Sequence, residues 1–485
     1  MGSKNLANKL GFDVVLFGST VYWNEESMLS SVLEQVKAAM SELQSTIDNG
    51  VVADEFDLHF HLISSSEQCQ DFVTKPRGDA AIFAPLSGGV QPWMIATAKC
   101  YQHIGLANLY LPSSLDPVLT AAFLCRNAHP AATDFFAHQQ MRGKSIEWLA
   151  SLEAWDAFRR AWCAAQKLQH SRLLKIGETE PWVINSCRSV ERFRERLGME
   201  IIPIELPDLY ERVRGVQESD AESIASEWVQ RAKELVGIDS SDVNQAARVV
   251  VAMRQLLAEH EADGLSIACF ALIKELKTTS CLATACLNEA FGSLAACEGD
   301  LDAAATMMLL KNLGADFVWI GNPIIYCGPF IDFVHCTAPR GRRGVDFPYR
   351  LMTHHESGQG VAPEVELPGQ QTVTLARIGA DLTKIAVHTG QSQQVAKQSA
   401  CHTQLRILLD YPRDFLTHLL GTHQVLSFGD MTQPLRYAAK FLALQTLGES
   451  TWRVASPLVH DQVQHQHRVE NASSSDACCL PVLPN

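Results

Sequence analysis

From Asp13 to about Gly344, short apolar runs alternate with stretches of helical spacing; beyond Gly344 that alternation stops. A strand that must return parallel to its neighbour needs a crossover of a dozen or more residues, so such a pattern points to parallel sheets wrapped by helices. DVVLFGST, at Asp13, reads as a buried strand, and EESMLSSVLEQVKAAMSELQ follows with apolar residues at helical positions. DLHFHLIS, DAAIFAPL and IGLANLYLP repeat the unit, which ends in a long helical segment predicted from about Ile146 to Gln169. LLKIGETEPWVI restarts it at Leu173, and MEIIPIEL and LSIACFALI continue it.

The remainder behaves differently. EVELPGQQTVTLARIGADLTKIAVHTGQS alternates polar and apolar residues and is broken by glycine at short spacing, the pattern of antiparallel hairpins. A chain of 485 residues exceeds what one hydrophobic core usually holds. The expected fold class is α/β: two doubly wound α/β domains, at 1–170 and 171–345, then an antiparallel β-rich, barrel-like domain at 346–459. The last residues, 460–485, are polar, end in NASSSDACCLPVLPN, and read as a loosely held tail.

The net charge of −14 argues against wrapping a nucleic-acid backbone or lying on an anionic membrane, since both need a basic field. The cysteines sit singly inside apolar runs such as AAFLCRN and SIACFALI, as buried free thiols do, and Cys281 and Cys286 lack a second pair for a zinc site. MGSKNLANKL has no signal-like apolar stretch, and no run reaches the ~20 apolar residues of a membrane span. A cytoplasmic protein is the expectation.

Three segment ends carry the chemistry. AACEGD, VWIGNP and FVHCTA each follow a short apolar run and deliver Glu298, Asn322 and His335. If all three lie at carboxyl ends of parallel strands, they open onto one crevice, and a metal-centred sugar site is the expectation. Each residue also has a plainer use. Glu298 or Asp300 can cap the helix that starts in DLDAAATMMLLKNLG, Asn322 before Pro323 suits a turn, and a lone histidine after an apolar run suits a core. His423, in LLGTHQVLSFGD, stands about a hundred residues away beside a glycine that would let its backbone approach another surface.

CEGDLDAAATMML and GTHQVLSFGD resemble segments of the L-fucose and L-arabinose isomerases, metal-dependent aldose–ketose isomerases with two α/β domains and a β-rich C-terminal domain. The matches lie in residues 266–340 and 372–448, where TVTLARIGAD, with Arg377, also looks like that family. The resemblance implies a divalent metal, Mn2+ above all, held by Glu298, Asn322, His335 and His423. It implies Glu298 as the proton-transfer group and a homo-oligomer, up to a hexamer. One departure stands out: 24 residues after Glu298 the family has an aspartate and this chain has Asn322, whose amide accepts no proton. Asp300, Asp302 and Asp332 remain open as substitutes.

With a single carboxylate the site keeps more positive charge, which favours an acidic sugar such as a sulfosugar. TAPRGRRGVDFPYR after His335 offers Arg340, Arg342, Arg343 and Arg350; Arg340 and Arg343 are the expected substrate contacts, with Glu178 in GETEPW as a contact to a sugar hydroxyl. PLSGGVQPW lacks the Lys-Ser/Thr ending of a phosphate loop and reads as a turn. The competing reading is a non-catalytic sugar-binding relative, silenced by Asn322.

Overall fold

The computed structural model describes residues 11–23, 29–35, 37–38, 57–75, 77–107, 126–289 and 293–448. Most of the first expected helix and the polar tail at 460–485 therefore lie outside the described residues.

The first sheet is wholly parallel. Its strands, Gly11–Phe17, Asp57–Ile63, Ala80–Pro85, His103–Ala107 and Ser145–Leu149, stand in the order 2-1-3-4-5, a doubly wound arrangement. SIEWL, expected within a helix, is thus the edge strand of this sheet, and the helix begins only at Leu152, behind the cap of Ser151. In PLSGGVQPW, the Ser87 hydroxyl accepts from the amide of Ser19 and ties two strand ends together, a turn as expected.

A second parallel sheet has the order Ala295–Ala296, Gly264–Ile267, Arg172–Ile176, Glu200–Ile204. LSIACFALI divides here: the strand stops at Ile267 and Cys269–Leu276 is helical. Helix Leu301–Asn312 follows the last strand. Ala, Leu and Met favour it, Asp300 caps it by accepting from Ala303, and its apolar residues fall on every side, with Asp302 and Thr306 between them. Such a helix must be covered all round, and residues 301–310 are all buried.

The six antiparallel strands form a closed barrel: Thr372–Gly379, Gln424–Phe428, Trp319–Ile325, Phe330–His335, Thr403–Leu409, Lys384–Gln393, and back to Thr372–Gly379. Two of them correct the sequence reading. WIGNPII and FIDFVH were expected to extend the central parallel sheet; they form an antiparallel hairpin of the barrel, with Asn322 opposite Val334 and Ile325 opposite Ile331. Asn322 lies within its strand, not at its end. A short apolar run has no periodicity to distinguish the two arrangements, but the four residues between the runs, Tyr326-Cys327-Gly328-Pro329, are a hairpin loop by composition.

Both faces of the barrel wall are buried where it meets the rest of the molecule. Trp319, Leu375 and Leu426 join one core cluster, while their neighbours Ile320, Ala376 and Val425 join another that contains helix Leu301–Asn312. The amide of Ile378 donates to Thr306 Oγ1 at 2.8 Å, pinning a barrel strand to that helix. One end of the barrel thereby faces the turn that carries Glu298.

Candidate metal centre

Glu298 stands at a strained turn. Its φ is +58°, and Gly299 follows at +65°. For a glutamate that conformation is unfavourable and persists only where surroundings impose it. Here the Glu298 carbonyl accepts from Glu180 at 3.0 Å, the amide of Gly299 donates to Ile267 at 2.8 Å, and the Thr179 hydroxyl donates to the carbonyl of Gly299 at 2.8 Å. At Gly299 a Cβ would stand 2.7 Å from the Thr179 Cα, so no other residue fits without displacing backbone. The result projects the Glu298 side chain toward the barrel, with the indole N–H of Trp182 donating to Oε2 at 2.6 Å.

Two histidines meet it from the barrel. His335 ends its strand and places Nε2 3.8 Å from Glu298 Oε1; His423, just before Gln424–Phe428, places Nε2 3.5 Å from the same oxygen. Both separations exceed hydrogen-bond length. The opposite nitrogens are held: His335 Nδ1 pairs with the Thr337 hydroxyl at 3.1 Å, and His423 Nδ1 with Asp300 Oδ2 at 2.9 Å. Asp300 is gripped in turn by Arg377, whose Nη1 donates to Oδ2 at 2.9 Å and to the His423 carbonyl at 2.8 Å. Gly421 makes room for this: a Cβ there would lie 2.5 Å from Arg377 Nε.

The charges follow from these contacts. Burial works to raise the pKa of Glu298, but His335 and His423 beside it hold the carboxyl well below the usual carboxylate range. Burial likewise opposes ionisation of Asp300, and Arg377 and His423 override it, so Asp300 is a carboxylate throughout. Burial pushes His335 down, so its imidazole is neutral. For His423 burial is outweighed by Asp300 and Glu298, and its pKa is pushed up to about 9, so an ion binding at Nε2 must displace the proton there while Nδ1 keeps its own toward Asp300.

The donors fit a divalent ion. Glu298, His335 and His423 each present one ligand atom, all within 4.8 Å of one another. His423 Nε2 is buried with no hydrogen-bond partner, although an unpartnered buried nitrogen is costly. A carboxylate oxygen and two imidazole nitrogens suit a Mn2+-type ion, and a carboxylate behind a ligating histidine is the usual support for one. Asn322, the fourth expected ligand, lines the same cavity, its Oδ1 accepting from Thr422 at 3.1 Å.

The other expected contacts stand apart. Arg340 is buried: it donates to Glu289 and Glu227 and stacks over Trp228, a structural use that its loop sequence did not reveal. Arg343 sits at the tip of the hairpin formed by Gly341–Arg342 and Val345–Asp346. Glu178 is turned to solvent, paired with Lys175. None of the three lines the cavity around Glu298. Of the acids left open, Asp300 supports His423, Asp302 is buried with Oδ2 unpartnered, and Asp332 pairs with Arg406.

Sequence reading missed several residues that do line it: Phe270, Thr279, Ser280, His354 and Glu356. Burial, with His335 and His402 nearby, pushes the pKa of His354 down to about 4, so it is neutral near pH 7. The HHES segment carrying His354 and Glu356 is a signal legible in the sequence, and it lies outside both stretches that resemble the isomerases. Cys269, Cys281, Cys297, Cys336 and Cys401 complete the wall, and the described cysteines are all free thiols.

No protein-family profile matches the chain. Over 143 residues, 29% of the chain, it is 27% identical to the sulfoquinovose isomerase of Alkalicoccus urumqiensis. The matched stretch covers 31% of that protein. The chain is thus similar, over less than a third of either sequence, to a protein named for isomerising a sulfonated sugar.

Proposed function

We propose that the protein is a metal-dependent aldose–ketose isomerase acting on an acidic sugar, a sulfosugar of the sulfoquinovose type. The observation that carries this reading is the meeting of Glu298, His335 and His423 from two separate sheets on one point, with Asp300 and Arg377 behind them. The resemblance to fucose and arabinose isomerases and the similarity to a sulfoquinovose isomerase support the same class.

Glu298, His335 and His423 would hold the ion, with the Asn322 carbonyl as a fourth donor. A divalent ion held there would supply the Lewis acidity that makes a sugar's C2 proton easier to remove. Glu298, held as a carboxylate by the histidines beside it, takes the C2 proton and returns it to C1. Trp182 orients its carboxylate during that exchange. Glu356, the other carboxylate of the cavity wall, moves the hydroxyl proton between O1 and O2, a task the Asn322 amide cannot do. Phe270 and the buried thiols keep water from the reacting carbons. The free thiols suit a cytoplasmic setting, and the family resemblance makes the working form a homo-oligomer.

The test is incubation of the purified protein with Mn2+ and sulfoquinovose, glucose and glucose 6-phosphate, following ketose formation by NMR. Ketose formation that stops on chelation and in Glu298→Gln supports the reading. Mn2+ and sugar binding without any ketose would leave a sugar-binding relative instead.

A further inference from the structure

The basic loop after His335 does not line the cavity, so an acidic sugar would need its anion held elsewhere. We propose that the start of helix Cys281–Glu289 is the anion subsite of this cavity, receiving the sulfonate or phosphate at the far end of the sugar; this rests on the isomerase reading and names the half of the site that selects the substrate.

Thr279, Ser280 and Cys281 line the same cavity as Glu298, Asn322 and His335; its free space is about 30 Å³, so it must widen for a sugar to enter. The first amides of a helix have no carbonyl behind them, and the aligned peptide dipoles leave that end positive. Normally a serine at this position turns its hydroxyl back to cap those amides. Ser280 does not: it is fully buried, and its Oγ has no hydrogen-bond partner. No acceptor among the described residues takes the amides of Leu282 and Ala283, whereas the amide of Thr284 donates to the Ser280 carbonyl at 2.8 Å. A free hydroxyl and free amides at one buried helix end form a set of donors without an acceptor, which is what a tetrahedral oxyanion supplies.

The surroundings fix this end rigidly. Thr279 Oγ1 donates to the carbonyl of Val361 and accepts from its amide, and at Gly360 a Cβ would stand 2.6 Å from the amide nitrogen of Thr279. The loop bearing His354 and Glu356 is thereby clamped onto the helix start. Burial pushes the Cys281 thiol up, so it stays neutral and adds no opposing charge. Two carboxylates share the cavity, Glu298 and Glu356. The first lies 3.5 Å from His423 Nε2, and the second is exposed and screened by water.

The experiment is calorimetry on the full chain loaded with Mn2+, titrated with sulfoquinovose, glucose 6-phosphate, glucose and methanesulfonate. It is run on wild type, Ser280→Ala and Ser280→Asp, with thermal melting as the folding control. The expected result is that wild type holds the sulfonated sugar roughly tenfold or more tighter than glucose, that Ser280→Ala narrows the ratio, and that Ser280→Asp, whose carboxylate occupies the subsite, abolishes it. The glucose 6-phosphate arm reports whether sulfonate or phosphate is the natural group. A wild type without anion preference, or a preference unchanged in Ser280→Asp while the variant stays folded, would overturn the proposal. Sulfonate binding that responds to Ser280→Asp, with no ketose formed from any sugar, keeps the subsite and removes the isomerase.

Discussion

Asp300 does two jobs from one side chain: it caps helix Leu301–Asn312 and fixes the tautomer of His423. Asp300→Asn keeps the shape and a cap acceptor but weakens its hold on His423 Nδ1 and leaves Arg377 uncompensated. Mn2+ affinity is expected to fall roughly 10–100-fold by titration calorimetry, with a lower melting temperature in the absence of metal. Asp302, two residues on, makes the opposite prediction. Burial raises its pKa to about 7, Oδ1 accepts from Cys187 at 3.1 Å, and Oδ2 has no partner. Because the folded chain holds this proton more tightly than the unfolded one, its contribution is fully present below about pH 4 and is lost as pH rises through about 7. Asp302→Asn should therefore raise stability at pH 8 by on the order of 1–3 kcal/mol and give no gain at pH 4, checked by denaturant melts at both.

Among the elements, the segment joining barrel to helix end is the most demanding. Gly421 faces a guanidinium that cannot retreat, since Asp300 and the His423 carbonyl hold it. Gly421→Ala is expected to cost about 1–3 kcal/mol and to lower Mn2+ affinity as well, because the displaced Arg377 releases both Asp300 and His423. A variant with normal metal affinity would separate Arg377 from the site. The sequence placed this glycine beside His423 and assigned it close approach, but not its opposing group. It missed more at the hairpin Trp319–Ile325 and Phe330–His335: the loop Tyr326-Cys327-Gly328-Pro329 was legible, yet the apolar runs around it have the same pattern in a parallel sheet as in a barrel.

At the scale of the whole molecule, the three candidate ligands come from the turn after a parallel strand, from the end of one barrel strand and from just before another, so an ion bound by all three would staple sheet and barrel together. Mn2+ at a hundred times its dissociation constant should stabilise the fold by about 2.7 kcal/mol, read as a rise in melting temperature. His335→Ala should cancel the rise. Among the described residues no helix is long and apolar enough to cross a membrane.

The alternation of apolar runs and helical stretches was enough to determine parallel α/β sheets and a β-rich end, because hydrogen-bonding geometry allows few other uses of that pattern. Residue chemistry likewise marked Glu298, Asn322 and His335 as able to hold a metal, and the resemblance to the isomerases added His423. Tertiary structure alone decided that His335 reaches Glu298 from the barrel, that Asp300 and Arg377 serve His423, and that Arg340 is consumed by Glu289 and Glu227 while Ser280 is left free. Those outcomes depend on contacts between segments distant along the chain, and local periodicity contains no term for which buried charge or hydroxyl will find a partner.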